Sequence, residues 1–179
     1  RQFHMVGWWK LDETGGTTAD DSSGNDRHGT LLAPEATGED WVAGRIGGGV
    51  RSGDKLKKSI QVNNMPIHPE NTMIFWCKTD FSGTGDYWRI LNWSPGFSIN
   101  YQGNGKVSHG FASPGKVNHG YDTLLNDGNW HHYGFVIRNR SAHEVWRDGA
   151  LVSSLTNDIA DIETLYQRFN IGADGSGGA

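Results

Sequence analysis

The fold is decided by the stretch Asn129-Trp130-His131-His132-Tyr133-Gly134-Phe135-Val136-Ile137-Arg138 and its continuation Glu144-Val145-Trp146-Arg147-Asp148-Gly149-Ala150-Leu151-Val152. In the first run, Tyr133, Phe135 and Ile137 alternate with other residues at the two-residue period of a strand that has one strongly apolar face. In the second run, Asp148-Gly149 lies between β-forming residues, and both positions can adopt the positive φ of a tight hairpin turn. The sequence therefore predicts two consecutive antiparallel hairpins.

The rest of the chain repeats this pattern of short apolar runs separated by turn residues, and glycine is plentiful at 26 of 179 residues. Such a pattern is typical of many strands joined by turns. The predicted strands lie around residues 6–11, 28–32, 49–50, 59–62, 73–78, 88–93, 97–101, 107–111, 131–138 and 143–147. A helical spacing of apolar residues occurs from Ser154 to Arg168. We predict an all-β, two-sheet antiparallel jelly-roll sandwich that forms a single domain over residues 1–179.

Bulk properties exclude several classes of protein. The net charge is −4, so no basic field attracts nucleic acid, and no apolar stretch approaches the length that spans a membrane. Cys77 is the single cysteine and lies in an apolar run, which predicts a buried, inert thiol. The protein is therefore expected to bind neither nucleic acid nor the membrane interior.

Several motifs together resemble the laminin-G-like domains of the concanavalin-A-like lectin and glucanase superfamily. One is the Trp130-His131-His132 strand followed by the hairpin Trp146-Arg147-Asp148-Gly149. The others occur in the family's order, and they are Trp9-Lys10-Leu11-Asp12-Glu13, Asp21-Ser22-Ser23-Gly24-Asn25, His28-Gly29-Thr30-Leu31, Trp41 with Gly44-Arg45-Ile46-Gly47-Gly48-Gly49-Val50, and Phe169-Asn170-Ile171-Gly172. The resemblance covers nearly the whole chain and implies a concanavalin-A-like sandwich.

The resemblance also implies a cofactor and a partner. Related domains often hold a structural calcium ion in the loop that matches residues 20–25, which points to Asp21 and Asn25, with Ser22 or Asp20 helping. The same composition also suits a plain turn without an ion. Arg147 departs from the family, which usually has an aliphatic residue there, and the family continues beyond the equivalent of Ala179 into a last strand. We therefore expect a strand from a following segment, from a partner chain or from residues 1–5 to complete the sheet.

The eight histidines do not predict a metal centre. His131 and His132 are adjacent on a strand and point to opposite faces, so they cannot both bind one ion from a regular strand. His109 and His119 could approach each other across a hairpin, and a zinc site there is the less favoured alternative to exposed loop histidines.

Motifs for catalysis are absent from the sequence. Sandwich glycosidases need closely spaced carboxylates, yet Glu144 stands alone on its strand and Asp148 belongs to a turn. The chain contains no Gly-x-Ser-x-Gly elbow and no phosphate-binding loop. We predict that the protein is not an enzyme.

Aromatic and polar residues are mixed most densely between residues 86 and 122. Sugar rings stack their C–H faces on aromatic rings while their hydroxyls hydrogen-bond to polar side chains, so this mixture suits a carbohydrate surface. Strand alternation would place Trp88 with Ile90 on one face and Arg89 with Leu91 on the other. The alternative is that most of these aromatics fill the core together with Trp76, Trp130 and Trp146. The predicted ligand-binding residues are Tyr87, Trp88, Arg89, Asn92, Trp93, Tyr101, His109 and Tyr121.

The sequence thus predicts a non-catalytic, extracellular or cell-surface module that binds carbohydrate or mediates adhesion. Its expected partner is a glycan or a cell-surface glycoprotein, and it would form part of a larger surface or polysaccharide-processing protein. The alternative is a structural or protein-binding module, since a fold alone does not determine function.

Overall fold

A computed structural model of the chain describes residues 4–32, 40–52, 58–66, 70–79, 87–94, 97–102, 106–113, 116–122, 126–138, 142–156 and 166–172. In these ranges all regular secondary structure is β. The strands are β1 Thr18–Ala19, β2 Gly29–Leu32, β3 Trp41–Ala43, β4 Gly48–Val50, β5 Ser59–Pro66, β6 Asn71–Lys78, β7 Tyr87–Ser94, β8 Phe97–Gln102, β9 Lys106–Ser113, β10 Lys116–Asp122, β11 Trp130–Arg138, β12 Ala142–Arg147, β13 Ala150–Thr156 and β14 Tyr166–Gly172. The prediction of an all-β fold is confirmed.

The described strands form an antiparallel sandwich. One sheet has eight strands in the order β1-β2-β5-β14-β7-β8-β9-β10, and the other has four in the order β13-β12-β11-β6. A small ribbon of β3 and β4 lies beside them. The last strand of the described residues, β14, pairs with β5 and β7 in the middle of the larger sheet, so distant parts of the chain meet there.

Both predicted hairpins are confirmed. β11 pairs with β12, and β12 pairs with β13 around the turn at Asp148-Gly149, where φ is 50° and 84°. These positive values are the reason that Asp and Gly occupy the turn. On its other side β11 pairs with β6, which brings Met73 opposite Phe135 and Ile74 opposite Gly134.

The core lies between the two sheets. Tyr133, Phe135 and Ile137 of β11 are buried, as their alternation predicted, and they pack in one cluster with buried residues of the larger sheet such as Ile60 and Ile99. Phe75 of β6 stacks against both Tyr133 and Phe135, with ring centroids 5.8 and 5.9 Å apart. Aromatic pairs of this kind add to the free energy of burial, and here they join β6 and β11 on the core side of one sheet.

Three local predictions differ from the structure. The segment predicted as a first strand, residues 6–11, makes only an isolated bridge from Trp9 to Asp21, and Leu11 adopts a φ of 59°, which breaks an extended chain. The helical candidate is wrong at both ends, because 154–156 finish β13 and 166–168 begin β14; residues 157–165 lie outside the described ranges.

The third difference concerns strand alternation in β7. A register shift lies between Arg89 and Leu91, so Arg89 pairs with Asn100 while Leu91 pairs with Ile99. This bulge inserts one extra residue and changes the side on which the following residues lie. Arg89 is exposed and Leu91 is buried, so the prediction that they share a face is wrong.

Cys77 is the free cysteine of the chain and lies half-buried on β6. Burial raises the pKa of its thiol to about 11, so it stays protonated near neutral pH.

Over the described ranges there is no helix of the length and apolar character needed to cross a bilayer.

Candidate functional site

The outer face of the four-stranded sheet carries an open groove. The groove has a volume of about 390 Å³ and contains residues from β6, β11 and β12 and from the β12–β13 turn. We call it the outer groove, and its lining residues are Thr72, Ile74, His132, Gly134, Val136, Arg138, Glu144, Trp146 and Gly149. They are the alternate positions to those that fill the core, so the pattern that buries Tyr133 and Phe135 also creates this face.

Gly134 lies in the middle of the outer groove. It pairs with Trp146 on one side and with Ile74 on the other, so these two large side chains flank a position that has none. A Cβ at position 134 would meet the Cβ of Trp146 at 3.7 Å, an ordinary contact, while a longer side chain would extend over the groove floor. The indole of Trp146 is consequently left open, and the residue is 38% exposed.

A charged network holds Trp146 in place. The carboxylate of Glu144 accepts hydrogen bonds from Arg138 Nε at 3.0 Å and Nη2 at 3.3 Å, and also from the indole N–H of Trp146 at 3.0 Å. The hydrogen bond from Arg138, followed by that from Trp146, lowers the pKa of Glu144. Glu144 is therefore a carboxylate at neutral pH, and it orients a guanidinium and an indole beside each other.

A second tryptophan extends this surface. Trp76 on β6 is 39% exposed, and its ring lies 5.0 Å from the ring of His132, its partner on β11. The guanidinium of Arg45, in the turn between β3 and β4, lies over Trp76 at 5.4 Å from the ring centroid. The alternative in which Trp76 and Trp146 help to fill the core is therefore wrong for these two residues, because both are on the outer side of the sheet.

Asp148 fixes the end of the groove that contains His132. Its Oδ1 accepts the backbone N–H of His132 at 2.9 Å, and its own N–H donates to the His132 carbonyl at 2.9 Å. Its Oδ2 lies 2.7 Å from Nδ1 of His131, whose Nε2 lies 3.1 Å from Asp127. Asp148, and then Asp127, raise the pKa of His131 against the opposing effect of its burial. His131 thus connects Asp127, before β11, to Asp148, in the β12–β13 turn, while the adjacent His132 lines the groove.

The loop predicted to bind calcium is closed by Asp21. Its Oδ1 accepts the N–H groups of Trp8 and Ser23, both at 2.9 Å, and its Oδ2 accepts the Ser23 hydroxyl at 2.8 Å and the Arg27 N–H at 3.0 Å. Burial alone would raise the pKa of Asp21, but these hydrogen bonds outweigh it and the pKa is lowered. The Asn25 amide donates to the carbonyl of Met5 at 2.8 Å. The loop therefore fastens residues 5–8 to the sandwich.

A carboxylate has about four acceptor positions, and Asp21 uses four in these hydrogen bonds. Calcium would have to displace one of the N–H or O–H donors. Among the residues that the structure describes, no group of three or more His, Cys, Asp or Glu side chains is arranged to hold a metal. Calcium binding at Asp21 and Asn25 stays a prediction.

Replacing Asp21 with alanine should lower the free energy of unfolding by about 2–4 kcal/mol, because it leaves four partly buried donors without their acceptor. Asp20→Ala is the matched control, since the Asp20 side chain is largely exposed. Urea unfolding of both variants measures the difference. The same variant tests the calcium prediction: a calcium-dependent rise in the melting temperature of chelated protein that Asp21→Ala abolishes would support the ion, and an unchanged melting temperature would contradict it.

The predicted ligand-binding residues are distributed over different environments. Asn92, Trp93 and Tyr101 are buried, and Arg89 is exposed. The backbone places Arg89 opposite Asn100, Asn100 opposite Ser108, and Ser108 opposite Tyr121, which makes one row across four strands. The side chains of Tyr87, Trp88, His109 and Tyr121 lie outside the described part of the chain, as does that of His119.

The outer groove was missed by the sequence reasoning. The alternation in β11 indicated that His132, Gly134 and Val136 lie opposite the core positions, but not what lies beside them. To predict that Gly134 pairs with Trp146 and Ile74, the register of β6, β11 and β12 must be known. A slip of one residue in any of these strands would move its side chains to the other face.

The sequence matches no protein-family model, and no curated protein matches it. Solved structures with the same fold do match. The binding domain of paraclostridial mosquitocidal protein 1 has a TM-score of 0.68 at 15% identity, over 90% of this chain and 45% of that one. Domain 4 of AbnA, an extracellular GH43 arabinanase from Geobacillus stearothermophilus, solved with arabinotriose, has a TM-score of 0.68 at 18% identity, over 94% of this chain and 83% of that one.

The binding domain of botulinum neurotoxin DC has a TM-score of 0.64 in its complex with SialylT and in its complex with rat synaptotagmin II, at 8% and 9% identity. Each match covers 92% of this chain and 45% of that one. The chain thus spans less than half of the two toxin-type domains. At these identities the matches establish the fold, a β-sandwich found in binding domains.

Proposed function

We propose that this protein is a non-catalytic carbohydrate-binding module that binds a glycan in the outer groove. The observation that carries the proposal is the half-exposed indole of Trp146 beside the bare backbone of Gly134. An indole presents a flat apolar face of the kind on which the C–H face of a sugar ring stacks. Because residue 134 has no side chain, a ring can approach that face closely.

The polar partners of a sugar are present around the same indole. Arg138 supplies guanidinium donors, Glu144 supplies acceptors, and His132 supplies a ring nitrogen. The hydrogen bond from Trp146 to Glu144 holds the indole before a ligand arrives, which reduces the ordering that binding would cost. The arrangement provides both parts of sugar recognition, an apolar platform and hydrogen-bonding groups beside it.

The fold neighbours support the same function. One was solved with arabinotriose and belongs to an extracellular arabinanase, and another was solved with SialylT. By this analogy the module acts outside the cell or at its surface, as part of a larger surface or polysaccharide-processing protein, and its fold is of the laminin-G-like, concanavalin-A-like kind. Arabino-oligosaccharides are the first ligands to test.

A glycan array tests the proposal, with and without calcium. Wild-type protein should bind at least one glycan class, and Trp146→Ala should weaken its affinity for that glycan on the order of tenfold or more. Trp8→Ala is the matched control, because Trp8 is 49% exposed and lies outside the lining of the groove. Absence of any bound glycan, or an equal loss in both variants, would overturn the proposal.

The second candidate function is protein binding through the same face. Ile74 and Leu151 are among the most exposed large apolar residues, and each lies next to the Gly134–Trp146 pair in register. Exposed apolar patches of this kind also mark protein interfaces, and one fold neighbour was solved with rat synaptotagmin II. An array without bound glycans would favour this function.

A further inference from the structure

We infer that the ligand of the outer groove is a linear oligosaccharide that contacts Trp146 and Trp76 through different sugar units, and this inference rests on the proposed function. It adds a second subsite at Trp76, beyond the lining of the groove itself. The two subsites differ in their polar groups, so they make separable contributions to binding.

The distance between the two tryptophans sets the size of the ligand. Trp146 pairs with Gly134 and Trp76 pairs with His132, so they lie two strands apart and are offset by two residues. With about 4.8 Å between strands and about 3.3 Å per residue, their Cα atoms are about 12 Å apart. A single sugar ring covers one indole and not both. His132 and Gly134 lie between them, so the sheet offers a continuous path for a chain.

Each tryptophan has its own polar neighbours. The Trp146 indole N–H donates a hydrogen bond to Glu144, which also accepts one from Arg138. This subsite therefore offers the Glu144 carboxylate as acceptor and the Arg138 guanidinium as charged donor beside an indole held in place. Trp76 has the Arg45 guanidinium, a donor, over its ring and the His132 ring at 5.0 Å, so its polar groups differ from those at Trp146. Because the polar groups at Trp146 are held by hydrogen bonds, short ligands should bind there first, and longer ligands should reach Trp76.

Isothermal titration calorimetry with linear arabino-, xylo- and cello-oligosaccharides, from monosaccharide to hexasaccharide, tests the inference, together with the best linear glycan from the array. In the wild type, affinity should rise on the order of tenfold or more between the disaccharide and the longest member of the series that binds. Trp146→Ala should weaken binding at every length. Trp76→Ala should weaken binding of the long ligands alone and reduce the protein to the affinity it has for a disaccharide.

The outcomes separate this inference from the proposed function. If a glycan binds but its monosaccharide binds as tightly as the long chain, or if Trp76→Ala leaves the length dependence unchanged, the second subsite is absent while the carbohydrate-binding function stands. If no glycan binds to the wild type, the proposed function fails and the inference fails with it. Arg45→Ala provides a second variant that leaves both indoles in place, and it should also weaken long ligands alone.

Discussion

Replacing Trp93 with alanine is expected to remove about 3–5 kcal/mol of the free energy of unfolding. Trp93 is 5% exposed, and its ring centroid lies 4.9 Å from that of Phe169, its partner in register on β14. Truncation would leave a cavity at the point where β7 pairs with β14, and the packed side chains of the core around it cannot move far enough to fill it. Urea unfolding monitored by circular dichroism measures the loss.

Trp146→Ala is the matched comparison, since it removes the same side chain from the outer face. Its free energy of unfolding should fall by no more than about 1 kcal/mol, as is usual for surface positions. If Trp93→Ala were as stable as Trp146→Ala, the burial of Trp93 against Phe169 would be contradicted. The surface predicted between residues 86 and 122 would then become the better candidate for the ligand.

These two tryptophans show what the sequence could and could not predict. Periodicity in β11 and the Asp148-Gly149 turn were enough to predict the hairpins, because strand alternation and turn geometry depend on neighbouring residues. The side on which Trp93 lies depends on the bulge after Arg89 and on pairing with β14, more than seventy residues later in the chain. Aromatic density alone does not contain that information.

The candidate site likewise depends on pairing between strands that are distant in the sequence. Glu144 and Trp146 were visible as neighbours on one strand, but the outer groove exists because β12 and β6 both lie beside β11. Asp21 illustrates the opposite case, in which a local motif was recognised but its role was ambiguous. Both calcium loops and plain turns use Asp, Ser, Gly and Asn, and the sequence did not show that four hydrogen-bond donors converge on Asp21.

Replacing Gly134 with leucine is expected to abolish glycan binding while leaving the protein folded. The new side chain would project from the floor of the outer groove, between Ile74 and the indole of Trp146, and would occupy the space through which a sugar ring approaches. We expect affinity for the array glycan to fall by about a hundredfold or more, measured by titration calorimetry. Glycine weakens a strand by roughly 0.5–1 kcal/mol relative to alanine, so the melting temperature should stay the same or rise.

Gly134→Ala is the control, because its Cβ would lie in ordinary contact at 3.7 Å from the Cβ of Trp146 and would leave the indole face open. This variant should bind the glycan nearly as well as the wild type. A graded loss from alanine to leucine at unchanged or increased stability can arise only from obstruction of the groove, since general unfolding would lower both properties together. If Gly134→Leu instead binds the glycan as the wild type does, the ligand site lies elsewhere, and the surface around the exposed Arg89 is the next to test.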